Sequence, residues 1–168
     1  MPDRSEASAD ERAEHLKERI YVTFTALAVV LALRSHADEV TAGTAAATLV
    51  ITVVGILLAV LTADFMSHLV VHARMPSRGE AAHMVRVSVG AFGAVVLPLV
   101  FVVLAGTGVW RIEAALRAST IALLVALGVV AFLAVRRVRI PGWQKVLVLL
   151  AEVVLGAAVV GLELLAHG

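Results

Sequence analysis

The sequence has no cysteine, only two lysines and few aromatic residues, and just 16% of its 168 residues are charged. The absence of cysteine excludes disulfides, iron–sulfur clusters and thiolate metal sites. A formal net charge of +1 provides no strongly basic face to neutralise phosphates, so we expect no nucleic-acid partner. About a quarter of the residues in soluble domains are charged, and the shortage here argues against a water-soluble domain.

Apolar residues make up the difference, with 61% of the chain hydrophobic and a mean hydropathy of +0.97. A segment that crosses a bilayer must satisfy its own backbone hydrogen bonds, so each long apolar block predicts a helix. We therefore expect an all-α helical membrane bundle over residues 20–168, preceded by a polar, flexible cytoplasmic tail over 1–19 whose last turns extend the first helix. Five transmembrane helices are predicted, at about 20–35, 45–71, 84–105, 117–135 and 145–166.

The first block is the shortest, because only fourteen residues separate Arg19 from Arg34. They would span only about 21 Å as a helix, so this block could also lie on the membrane surface or form a signal peptide cleaved after "SHA". Five spans place eleven Lys and Arg residues on one side and three on the other, whereas four spans divide them seven and seven. The positive-inside rule therefore favours five spans, with the N-terminus in the cytoplasm and the C-terminus outside. Basic residues are almost all arginine, and alanine, valine and leucine dominate, which indicates a GC-rich bacterial genome. We therefore expect the protein in a bacterial cytoplasmic membrane.

One row of ionisable residues interrupts the second apolar block. Asp64, His68 and His72 are spaced four apart, which places them on one face of a helix. A turn near Pro76 would bring Arg86 of the third helix to the same depth. Ionisable groups at membrane depth are costly unless they are paired, so one interpretation is a structural ion pair between Asp64 and Arg86.

A second interpretation of the same row is a divalent metal site. The pattern Asp-x-x-x-His-x-x-x-His supplies oxygen and nitrogen ligands on adjacent turns, and His83 or Glu152 could complete the set with Asp64, His68 and His72. The stronger His-Glu-x-x-His pattern of metalloproteases is absent. Phosphate-binding loops, nucleophile elbows and dinucleotide fingerprints are also absent, so no catalytic residues are predicted.

A third interpretation is an ion relay through the inner ends of the helices. Glu18, Arg19 and Tyr21 at the start of the first helix should lie in the same layer as Asp64. Glu152 in the last helix is the deepest carboxylate, and it could accept a proton or pair with an arginine. The predicted cluster comprises Glu152, Asp64, His68, Arg86, Arg19 and Tyr21, and a separate outer-side pair comprises Glu163 and His167.

Two short motifs carry a family resemblance. "ERIYVTFTALAV" contains Arg19, Ile20, Tyr21 and Thr23, and "DFMSHLVVH" contains His68 and His72. These stretches resemble a group of small multi-pass membrane proteins of actinobacteria that have an Arg-Ile-Tyr-x-Thr first helix and a His-x-x-x-His pair in the second. The resemblance implies a membrane bundle and carries no activity with it. A more distant similarity is to bacterial potassium channels with Arg-x-x-x-Phe-Ser-Asp, but here Phe24 falls five residues after Arg19.

Three functional hypotheses remain open at this point. The first is a non-enzymatic membrane protein whose polar cluster specifies helix packing or assembly. The second is a proton or small-cation channel or transporter using Glu152, Asp64 and His68, which would need a homo-oligomer because five helices are few for an enclosed pathway. The third is a membrane protein that binds a divalent metal, and no other cofactor is expected.

Overall fold

The computed structural model describes residues 4–137 and 141–167. Within the helices, it describes no side chains for residues 4–14, 137, 152, 159, 160, 162–164, 166 and 167. Across the part of the chain that it describes, the fold is all-helical and contains no strand. The predicted all-α class is therefore confirmed.

Six helical segments follow one another along the chain. Their bounds are α1 Arg4–Ser35, α2 Ala42–His72, α3 Arg78–Ala91, α4 Gly93–Gly106, α5 Ile112–Arg137 and α6 Gly142–His167. Each helix extends past its apolar block, because the polar residues that flank the blocks continue the same backbone hydrogen bonding. The largest extension is in α1, which begins at Arg4 and so includes most of the segment that we expected to be a flexible tail.

Three helical stretches in the described part of the chain are long and apolar enough to cross a membrane. They are Ala42–His72, Arg78–Gly106, which joins α3 and α4, and Ile112–Arg136. Large apolar side chains remain exposed along them, including Ile51 and Val70 on α2 and Val125 on α5. A surface of this kind is suited to lipid contact rather than to water.

Helix α1 lies at the centre of the bundle, in contact with α2, α3, α4, α5 and α6. Its buried residues recur every three or four positions, which is the period of one helix face: Glu18, Val22, Thr23, Ala26, Leu27, Val30 and Leu31. The contact between α1 and α5 is among the most extensive in the fold. The shortest apolar block of the sequence is therefore its innermost helix.

The turn between α2 and α3 is held by local hydrogen bonds. Ala73 ends α2 in the left-handed conformation, with a φ of 50° and its N–H donated to the carbonyl of Leu69. Ser77 begins α3 with a capping box, because its hydroxyl accepts from the Glu80 N–H at 3.3 Å and its own N–H donates to the Glu80 carboxylate at 2.7 Å. Arg74 binds both oxygens of Glu80, at 2.7 and 2.9 Å. The side chains near this turn are thus anchored to a fixed backbone.

The helical stretch Arg78–Gly106 is interrupted at Phe92, between α3 and α4. The Phe92 N–H donates to the carbonyl of Val89 at 3.2 Å, which is the tighter i to i−3 pattern of a 3₁₀ turn. Pro98 lies inside α4, six residues further on. After the interruption α4 packs extensively along α5, while α3 before it packs against α1 and α2.

Candidate functional site: a polar cluster beside the α2–α3 turn

Glu18 is the most deeply buried ionisable side chain that the structure describes. Only 1% of the residue is exposed, and it lies on α1 immediately before the first apolar block. One carboxyl oxygen, Oε1, accepts a hydrogen bond from the Ser88 hydroxyl of α3 at 3.3 Å. The other oxygen, Oε2, is buried without a hydrogen-bond partner among the described residues.

The surroundings of Glu18 favour its neutral form. Burial, followed by the charge of the neighbouring Asp64, raises the pKa of Glu18 to about 7 from an ordinary value of 4.5. The Ser88 hydrogen bond and the charge of Lys17 act in the opposite direction. Glu18 therefore exchanges its proton near neutral pH.

Asp64 lies between Glu18 and a surface pocket. Its carboxylate is 3.7 Å from the Lys17 ammonium of α1, and 27% of its side chain is exposed. On the other side it lines a pocket of about 400 Å³ between α2 and α3. Asp64 thus joins the buried carboxyl to solvent-accessible space.

His68 is the buried wall of that pocket. Its Nε2 atom is 3.9 Å from a Glu80 carboxylate oxygen, which is too long for a hydrogen bond, and no other described residue satisfies it. His72, His83 and Glu80 line the same pocket. The structure therefore brings Asp64, His68, His72 and His83 to one pocket, although their ligating atoms do not converge, and the side chain of Glu152, the other ligand proposed from the sequence, lies outside the described residues.

The histidine geometry explains why these atoms do not converge. The His68 and His72 rings stack, with centroids 4.4 Å apart and planes 20° apart. The Nδ1 atom of His72 faces the His68 carbonyl of its own helix at 3.3 Å. The His83 ring presents an edge-to-face contact to His15 of α1, with centroids 6.3 Å apart. Among the described residues, no group of three or more His, Cys, Asp or Glu side chains has an arrangement that could hold a metal ion.

Arg86 does not form the ion pair that we expected. Asp64 pairs with Lys17 instead, and Arg86 is exposed. The reason is angular, because Ser88 faces α1 and a residue two positions earlier points about 160° away from it on a helix of 3.6 residues per turn. Matching depth along two helices was therefore not sufficient to place Arg86 in the cluster.

The other predicted members of the cluster lie elsewhere. Tyr21 is 56% exposed, and Arg19 is exposed beside a separate groove between α1, α4 and α5. The side chains of Glu152, Glu163 and His167 on α6 lie outside the described residues. The structure brings six polar residues together, and we call them the polar cluster: Glu18, Lys17, Asp64, His68, Glu80 and Ser88.

Four members of the polar cluster, Glu18, Lys17, Glu80 and Ser88, were not among the site residues proposed from the sequence, although Glu18 was expected in the same layer as Asp64. Lys17 and Glu80 resemble ordinary solvated charges near helix ends, so nothing in the pattern distinguishes them. Ser88 appears in the sequence as one small residue among several in α3. Only the packing of α1, α2 and α3 against one another gives these residues a common location.

No protein-family model, no curated protein and no solved structure matches this chain.

Proposed function

We propose that the chain is an integral protein of a bacterial cytoplasmic membrane that crosses the bilayer five times, with its N-terminus in the cytoplasm. In this proposal the polar cluster is non-enzymatic and fixes α1 against α2 and α3. The observation that carries the proposal is the buried hydrogen bond from Ser88 to Glu18, which joins residues 70 positions apart. The ion pair between Lys17 and Asp64 provides a second connection, from α1 to α2.

The first and last of the five proposed spans, α1 and α6, have different physical support. Helix α6 has 26 residues, which correspond to about 39 Å and exceed the thickness of the hydrocarbon layer. Helix α1 has a short apolar block, but the other helices surround it. Because its neighbours cover the face that carries Glu18, α1 tolerates this carboxyl group close to its apolar stretch.

A buried polar pair also selects the register of α1. Sliding α1 along its neighbours would separate the Glu18 carboxyl from the Ser88 hydroxyl and leave both groups without a partner. An unsatisfied buried polar group costs about 1–3 kcal/mol, whereas sliding apolar side chains past one another carries no such penalty. The hydrogen bond thus supports a positional role for the polar cluster.

The test is a double-mutant cycle on purified protein in detergent. Ser88→Ala should lower the free energy of unfolding by about 1–3 kcal/mol, because it leaves Glu18 Oε1 unsatisfied. In a Glu18→Met background, the same Ser88→Ala change should cost much less. Thr62→Val is the matched control, since the exposed Thr62 hydroxyl bonds only to Leu58 of its own helix. Equal costs of Ser88→Ala in both backgrounds would refute the packing role.

A second candidate is movement of protons or small cations, and two unpartnered atoms favour it. Glu18 Oε2 and His68 Nε2 are both buried without partners among the described residues. Asp64 connects them, since its charge acts on Glu18 and its side chain lines the pocket beside His68. Conduction through such a short relay would require a homo-oligomer to enclose the remainder of the path.

Proton flux into reconstituted vesicles, followed with a pH-sensitive dye, tests the second candidate. Glu18→Gln and Asp64→Asn should each abolish the flux. Glu39→Gln, which changes an exposed carboxylate in the loop between α1 and α2, should leave it unchanged. Absence of flux with the unmodified protein would eliminate this candidate without affecting the packing role.

A further inference from the structure

A groove of about 280 Å³ opens between α1, α4 and α5, on a face of the bundle separate from the polar cluster. Thr23 of α1 contributes to its lining, Leu97 lies on the α4 wall, and Ala122 and Ala126 lie on the α5 wall. Among the described residues that line the groove, Arg19 is the only charged one. The described lining thus combines an apolar surface with one cation.

The interruption at Phe92 accounts for the groove. Beyond it, α4 packs along α5, but α3 packs against α1 and α2 instead. The stretch Arg78–Gly106 therefore joins α5 only from Gly93 onward, where α4 begins, and α3 before it lies away from α5. Apart from its chain neighbours and the backbone of its own helix, no described atom lies within 4 Å of a Cβ atom built on Gly93, so this residue borders open space.

The Arg19 side chain is available to a ligand. It is exposed, and none of the ion pairs among the described residues involves it. The hydroxyl of Thr23 is already used, because it donates to the Arg19 backbone carbonyl at 2.6 Å. The guanidinium is therefore the group at this groove that would bind a ligand, and guanidinium binds phosphate oxygens through paired, charge-assisted hydrogen bonds.

We propose that this groove is a binding site for an anionic phospholipid of the inner leaflet. Arg19 would bind the headgroup phosphate, and one acyl chain would lie along Leu97 and Ala126. Charge complementarity favours this occupant, since basic pockets between spans on the cytoplasmic side bind anionic headgroups. The inference rests on the proposed membrane embedding but not on the packing role of the polar cluster.

Native mass spectrometry of the full chain, extracted from membranes in detergent, tests the site with phosphatidylglycerol and phosphatidylcholine as probes. The unmodified protein should retain phosphatidylglycerol about tenfold better, which corresponds to about 1.4 kcal/mol. Arg19→Gln should remove the preference, and Arg19→Lys should keep part of it. Arg86→Gln is the matched control, because it removes an exposed cation that does not line the groove.

The location is tested by filling the groove. Gly93→Leu should reduce retention of phosphatidylglycerol about tenfold, while circular dichroism should still report a folded helical protein. If Gly93→Leu does not fold, Ala126→Leu provides the same test. Equal retention of both lipids by the unmodified protein would overturn the proposal, as would a preference that survives Arg19→Gln or the filled groove. A chain that does not partition into membranes would instead refute the proposed embedding.

Discussion

Glu18 combines two properties that are seldom found together, an almost complete loss of solvent exposure and a titratable carboxyl group. Its position can be recognised in retrospect, because residues 18, 22 and 26 are four apart and the last two are buried apolar residues of α1. The same spacing argument correctly placed Asp64 and His68 on one face of α2. It did not reveal Lys17 as the partner of Asp64, since a lysine on an adjacent helix can be located only after the helices have packed.

We predict that the stability of the protein falls as the pH rises from 4.5 to about 7. Folding raises the pKa of Glu18 from 4.5 to about 7, so within this pH window the folded state binds more protons than the unfolded state. The folded state therefore loses stability as Glu18 releases its proton. The expected loss is on the order of 2 kcal/mol. Thermal unfolding in detergent at several pH values measures it.

Glu18→Gln should flatten this pH dependence, because the amide cannot ionise. Glu39→Gln should leave it intact, since Glu39 is an exposed carboxylate in the loop after α1. A slope of the same size in the Glu18→Gln protein would assign the effect to another group and contradict the prediction.

The helices themselves were largely readable from apolar blocks, because hydrocarbon-facing segments leave the backbone little alternative to helix. Their ends were less predictable. Polar flanks such as residues 4–19 continue α1, and a local backbone interruption at Phe92 divides the stretch Arg78–Gly106 without any proline at that position. Hydropathy shows which segments avoid water, but it does not show where a helix ends. Helix ends depend on capping side chains such as Ser77.

The capping box at the start of α3 leads to a prediction about this element. Ser77→Ala should lower the free energy of unfolding by about 1 kcal/mol, because the Glu80 N–H loses its acceptor. Hydrogen exchange at the first turn of α3 should also become faster. Ser77→Asp should retain most of the stability, since aspartate is an equally good cap.

Ser35→Ala provides the control for this prediction, because the exposed Ser35 hydroxyl bonds to Ala32 within α1. Identical effects of Ser77→Ala and Ser35→Ala on stability and exchange would show that the capping box does not stabilise the turn.

For the molecule as a whole, the central position of α1 determines how the other helices are arranged. Composition could not reveal this position, because the block between Arg19 and Arg34 is the least membrane-like by length. A short apolar block can form the innermost helix because its side chains pack mainly against other helices rather than against lipid. Charge asymmetry in the loops, which does not depend on packing, is therefore the better guide to the path of the chain.

The path can be tested directly because the chain has no cysteine, so single cysteines can be introduced without other changes. Five spans with a cytoplasmic N-terminus predict that a membrane-impermeant maleimide labels Val109→Cys in intact cells. Met75→Cys and Ser8→Cys should react only after permeabilisation. Val109 and Met75 are exposed loop residues, 69% and 70% respectively, so restricted access would reflect the membrane rather than burial. Labelling of Ser8→Cys and Val109→Cys from the same side would mean that α1 does not cross, because Ala42–His72 and Arg78–Gly106 return the chain to the side on which α2 began.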